Sequence, residues 1–166
     1  AALQRPLAFV AKAELEGQFV AGIFLRRSGA HFVERFEKEK GIEDARRIAR
    51  ALSAPSAIVY FPEGTLTRIP GLLPFHMGAF TAAAEAGVPV VPIAIRGTRS
   101  VLRSESAYPR RGAISVVVGP PIETGARTPD QADAVWARAL DLRAKARAFI
   151  LQHCGEPDLE GEQSPL

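Results

Sequence analysis

Cysteine is nearly absent from this chain: Cys154 stands alone among 166 residues. No intrachain disulfide can form, and a reducing compartment fits. Histidine is scarce too, limited to His31, His76 and His153, which stand far apart in the sequence and form no cluster of ligands with the cysteine. That distribution implies no metal centre. No apolar run is long enough to span a bilayer. Ala1–Val10, interrupted by Arg5 and Pro6, does not read as a signal peptide. Lysine- and arginine-rich runs interleaved with aromatics are missing, so nucleic acid is not an expected partner. The net charge of +3 is mild and suits an anionic small molecule or an anionic membrane surface. The first residue is alanine rather than methionine, so the chain is expected to have been processed or cut from something longer.

What is present is an ordinary globular composition, 47% hydrophobic and 23% charged, on a chain long enough for one domain with a core. Apolar, β-rich runs at Leu7–Ala11, His31–Glu34, Ala57–Phe61, Val90–Ile95 and Ile114–Val118 read as strands. Between them, Phe19, Val20, Ile23 and Phe24 have helical spacing, as do Ile42, Ala45, Ile48, Ala49 and Leu52. Met77–Ala86 reads as an alanine-rich helix stopped by Gly87. Asp130–Leu151 reads as a long helix with Ala132, Val135, Trp136, Ala139, Leu142, Ala146 and Phe149 inward, capped by Thr128 with Pro129 after it. Strands alternating with helices, several of them apolar throughout, indicate an α/β domain whose sheet is covered on both faces. Beyond residue 155 the chain turns polar and acidic, and residues 156–166 are expected to form a flexible tail.

The sharpest segment is Phe61-Pro62-Glu63-Gly64-Thr65, where a β-run ends in an acid, a glycine and a hydroxyl. Pro62 and Gly64 force a tight turn directly after the strand, the position at which α/β sheets hold ligands. Gly64 lets backbone approach a ligand closely, Thr65 adds a donor, and Arg68 adds a fixed positive charge suited to phosphate. The bland alternative is a strand-to-loop turn with a solvated Glu63. Arg99, Arg103, Arg110 and Arg111 form a basic connection that is either solvated or in contact with phosphates.

Four blocks then fall in order. Gly29-Ala30-His31-Phe32-Val33-Glu34-Arg35, Phe61 to Thr65, Leu73-Pro74-Phe75-His76-Met77-Gly78-Ala79-Phe80 and Val88-Pro89-Val90-Val91-Pro92-Ile93 resemble the G-x-x-F-(I/V)-x-R, FPEGT, LPF-x-x-GAF and VPxxPI blocks of the glycerol-phosphate / lysophosphatidate acyltransferase family. The resemblance implies a central mixed, largely parallel sheet flanked by helices. It also implies transfer of a fatty acyl group from acyl-CoA or acyl-ACP, as co-substrate, to a lysophospholipid or related hydroxyl, with no cofactor. Arg35, Glu63, Gly64, Thr65, Arg68 and His76 would serve the acceptor, and Pro92 would set a neighbouring strand end. Peripheral contact with the inner face of the membrane, from the cytoplasm, follows from the same likeness.

Three departures bear on that reading. The family's H-x-x-x-x-D block, whose histidine serves as general base, should precede Gly29, yet no histidine occurs before His31. Residues 1–155 are therefore expected to be the C-terminal portion of an acyltransferase domain, with its base upstream of Ala1 and no activity of its own. The alternative is a non-catalytic lipid- or anion-binding module within a larger protein. One literal match, His153 to Asp158, follows all the other blocks and contains Gly155 and Pro157; it is expected to be a helix-end histidine instead. Finally, Leu66 stands where the family usually has arginine and His76 where it often has lysine, which leaves the acceptor's identity open.

Overall fold

The computed structural model describes residues 7–12, 31–33, 57–65, 67, 69–102, 108–125 and 132–161. The chain divides into two compact units, Ala1–Pro62 with Met77–Ala82, and Glu63–His76 with Ala83–Leu166. The helices expected over 17–27 and 42–52 lie outside the described residues.

The first unit contains three parallel strands, β1 (Leu7–Lys12), β2 (His31–Val33) and β3 (Ala57–Val59), in the order β2-β1-β3. Val10 pairs with His31 and Phe9 with Val59. Parallel neighbours cannot be joined by a hairpin and require crossovers, which the intervals between these strands are long enough to supply. The three strands fall where the β-rich runs predict them.

Helix α1 (Gly78–Ala86) is built from alanines, with Phe80 and Ala82–Ala84 buried. Gly87 ends it in the left-handed conformation, φ 67°, and Val88 N–H donates to Ala83 O at 3.1 Å, a Schellman-type closure. The VPxxPI block follows. The strand expected over Val90–Ile95 is instead β4 (Ile93–Arg96), antiparallel to β5 (Ser115–Val118). Val90 makes only an isolated bridge to Ile122. Pro92 has no N–H to donate and Pro120-Pro121 oppose it, so the ladder breaks there. Pro92 O still accepts from Gly119 N at 2.9 Å and so fixes the end of β5.

Gly97 (φ 93°) leads into a single helical turn, α2 (Thr98–Val101), within the basic connection. Helix α3 (Ala132–Cys154) buries Ala139, Leu142 and Ala146 on one stripe. Burying Leu142 alone contributes about 2 kcal/mol. Burial of the stripe starts only at Ala139: Trp136, expected inward, is 46% exposed, and Ala132 is exposed too. The unexpected inward residue is Arg147, 5% exposed.

Residues 156–161 of the expected tail are described. Leu72 N donates to Pro157 O at 2.8 Å and Leu159 N to Leu72 O at 3.1 Å, while Leu159 is 9% exposed. An isolated apolar residue and a short parallel bridge anchor the acidic segment to the rest of its unit.

Candidate functional site

The candidate site is the loop from Glu63 to Phe75, entirely within the second unit. Pro62 and Glu63 form the turn, and Gly64 takes φ 69°, a conformation that a side chain would strain. The Glu63 carboxylate is not merely solvated. Its Oε2 accepts from Leu73 N at 2.9 Å. The acid of the FPEGT block is thereby bonded to the first residue of the LPF block, ten positions on, and the loop is drawn shut. Thr65 is exposed, and His76 is exposed just ahead of α1. Thr67 Oγ1 accepts from Ile69 N at 3.1 Å, forming a small turn of the serine/threonine kind. Arg35 and Arg68 lie outside the described residues, as does Leu66.

Three arginines donate to carbonyl groups of this loop. Arg147 donates from Nη1 to Leu73 O (2.7 Å) and from Nη2 to Leu72 O (3.2 Å). Its other contacts are Glu160 at 3.0 Å through Nε, and Asp158 through Nη2. The guanidinium carbon sits 5.1 Å from the centre of the Phe75 ring. A buried guanidinium needs this many acceptors, because each unsatisfied N–H would retain its desolvation cost. Arg143 extends the network to Phe75 O (3.5 Å) and Glu160 (3.3 Å). The backbone N–H of Glu160, followed by the Arg147 guanidinium, holds the Asp158 carboxyl below the usual carboxylate range.

Arg99, from the basic connection, reaches Thr67 O (3.4 Å), Ile69 O (3.0 Å) and Glu156 (3.0 Å). It is therefore neither free in solvent nor simply presented to a ligand. Arg110 and Arg111 are exposed, and Arg103 lies outside the described residues.

The literal His–Asp spacing does not form a pair. His153 Nδ1 donates to Phe149 O at 2.7 Å, and its ring stacks on Phe149 at 4.3 Å. Asp158 is engaged by Arg147. Sequence reasoning singled out Glu63 but did not anticipate that Arg147, Arg99 and Glu160 support the same loop. A charged residue beside an apolar helical stripe was one available signal.

The model of the acyltransferase family matches residues 1–96. The chain is similar to 1-acyl-sn-glycerol-3-phosphate acyltransferase alpha of Mus musculus, 32% identical over 128 residues, covering 76% of this chain and 45% of that protein. The 1-acyl-sn-glycerol-3-phosphate acyltransferase of Haemophilus influenzae is 31% identical over 130 residues, 78% of this chain and 53% of its own length. That of Escherichia coli is 36% identical over 104 residues, 63% and 39%. The chain spans about half, or less, of the length of the curated relatives it matches. Among solved structures it resembles the 1-acyl-sn-glycerophosphate acyltransferase PlsC of Thermotoga maritima, with TM-score 0.51 and 22% identity over 86% of this chain and 56% of that one. This last likeness bears on the α/β fold alone.

Proposed function

The chain belongs to the acyltransferase family, and on that premise we propose that it forms the acceptor side of an O-acyltransferase of glycerolipid synthesis. The acceptor is lysophosphatidate or a related lysophospholipid, and the donor is a fatty acyl thioester of coenzyme A or acyl carrier protein. The acceptor hydroxyl attacks the thioester carbonyl carbon, its proton passes to a base, and the C–S bond breaks to release the thiol. Positioning the hydroxyl against the carbonyl is where such a reaction gains much of its rate. The observation that carries the reading is the Glu63–Leu73 hydrogen bond, which joins two of the four family blocks into one fixed loop.

In this reading Arg35 and Arg68 hold the phosphate, Gly64 and Thr65 offer a close backbone approach and a donor, and His76 is a further anion contact. Glu63 shapes the turn. The base has no candidate ahead of the other blocks, since no histidine precedes His31, and His153 is turned to its own helix. An H-x-x-x-x-D block elsewhere in the full-length protein supplies it, and the complete domain carries one central, largely parallel sheet. The protein works from the cytoplasm, at the inner face of the membrane.

Thiol release from acyl-CoA in the presence of lysophosphatidate tests this. The full-length protein is expected to turn over, and the 166-residue chain alone is not. Turnover by the chain alone would overturn the missing-base argument. A second reading, a lipid- or anion-binding module without catalysis, is favoured by the lack of a histidine ahead of the other blocks. A full-length protein that binds lysophosphatidate but lacks both the histidine block and thiol release would select it.

A further inference from the structure

The carbonyl groups of Thr67 and Ile69 flank Arg68 in the sequence, and one guanidinium takes both. Arg99 Nη1 lies 3.4 Å from Thr67 O and Nη2 3.0 Å from Ile69 O, residues 32 and 30 positions earlier in the chain. Its Nε is held in turn by Glu156 at 3.0 Å. Thr67 Oγ1 also accepts from Ile69 N. The planar fork of arginine is suited to such a pair of acceptors. Its parallel donors fix the separation and direction of two carbonyls, which a lysine ammonium cannot do. The carboxylate of Glu156 offsets the charge and limits the rotation of the fork.

We propose that Arg99 is a positioning residue for acceptor recognition. It fixes the Thr67 and Ile69 carbonyls in the segment that follows the Glu63–Thr65 turn, without itself touching the phosphate. This rests on the reading of Arg68 and the Glu63–Thr65 turn as the acceptor-binding segment. Glu156, in the segment that follows α3, belongs to the same device. The acidic stretch after the last helix therefore takes part in recognition from a distance.

The test compares the wild-type chain with Arg99→Met, Arg99→Lys and Glu156→Gln by two measurements. The first is equilibrium binding of short-chain lysophosphatidate and of the matching monoacylglycerol, which lacks the phosphate. The second is hydrogen exchange of the Thr67–Ile69 amides in the ligand-free protein. Arg99→Met is expected to weaken lysophosphatidate binding roughly tenfold, as loss of charge-assisted hydrogen bonds would. Monoacylglycerol binding should be unchanged and amide exchange faster. Arg99→Lys should fall between the two and decides the matter if the methionine variant fails to fold. Glu156→Gln keeps an oxygen for Nε and should stay near wild type. Equal weakening toward both ligands would mean a purely structural role, and weaker lysophosphatidate binding with unchanged exchange would mean direct phosphate contact. Either overturns the proposal. A wild-type chain that does not prefer lysophosphatidate over monoacylglycerol fails separately, because it overturns the functional reading before any variant is made.

Discussion

Arg147 donates to the carbonyl oxygen of Leu73, 74 positions earlier in the chain, at 2.7 Å. Its side chain is 6% exposed, whereas its partners Asp158 and Glu160 are 44% and 43% exposed. Removing the guanidinium would take the donor from Leu73 O, while Leu72 O keeps the Leu159 N–H and both carboxylates could be rehydrated. Arg147→Met is therefore expected to cost about 3 kcal/mol, toward the lower side of what breaking a buried pair usually costs. Chemical denaturation of the chain would measure it, and a loss within error of zero would mean that the clamp adds nothing to stability.

That contact also marks the boundary of what the sequence made legible. β1, β2, β3 and α1 were visible because each is encoded locally, by β-rich runs and by a glycine stop at Gly87. The turn at Glu63 was visible because proline and glycine bracket it. The clamp was not visible, since Leu73, Arg147 and Asp158 meet only through tertiary packing. The acidic composition of Glu156–Glu160 signalled a loose tail, but those acids are partners for Arg99, Arg143 and Arg147. Leu159, alone among polar neighbours, and Arg147, next to the buried Ala146, were the only local hints.

Asp158 gives the clamp a pH signature. Its carboxyl is held below the ordinary range by the Glu160 N–H and by Arg147. A depressed folded-state value contributes stability that is complete above the unfolded value, about 3.9, and is lost as pH falls through the folded one. The melting-temperature difference between wild type and Asp158→Asn should stay flat from neutral pH to about 5, begin to shrink near 4, and close only below that. Added salt should reduce it, because Asp158 is half exposed. A difference already gone at mildly acidic pH would point to another titrating group.

Glu63 should respond to the loss of its acceptor more than to the loss of its charge. Glu63→Gln retains a carbonyl oxygen for Leu73 N, so stability should change little. Glu63→Ala leaves that part-buried donor unpaired and is expected to cost about 1–2 kcal/mol. Chemical denaturation of the two variants separates the cases. Equal losses would mean that the carboxylate charge, rather than the hydrogen bond, holds the loop.

His153 should be dispensable for acyl transfer. Its Nδ1 proton goes to Phe149 O and its ring rests on Phe149, so no carboxylate among the described residues orients it as a base. In the full-length protein, His153→Ala is expected to leave kcat for thiol release within about twofold of wild type, against the roughly 10²–10⁴-fold typical of a lost general base. A large fall in kcat without a fall in melting temperature would restore His153 as a catalytic candidate.

Gly71 and Leu159 offer a direct measure of how firmly the C-terminal segment is seated. A Cβ at Gly71 would overlap Cγ and Cδ1 of Leu159 and lie 3.1 Å from its Cδ2, and the backbone there has φ 144°. Gly71→Ala therefore meets both a clash and a strained conformation, and should cost about 1–3 kcal/mol. Leu159→Ala removes the obstacle but also forfeits buried apolar surface. The double variant should be more stable than the sum of the two losses predicts, because the clash is absent once Leu159 is shortened, while the backbone strain persists. Strict additivity in this cycle would mean that Leu159 does not occupy the space beside Gly71 in solution, and the acidic segment would then be held by its carboxylates and backbone hydrogen bonds without that apolar contact.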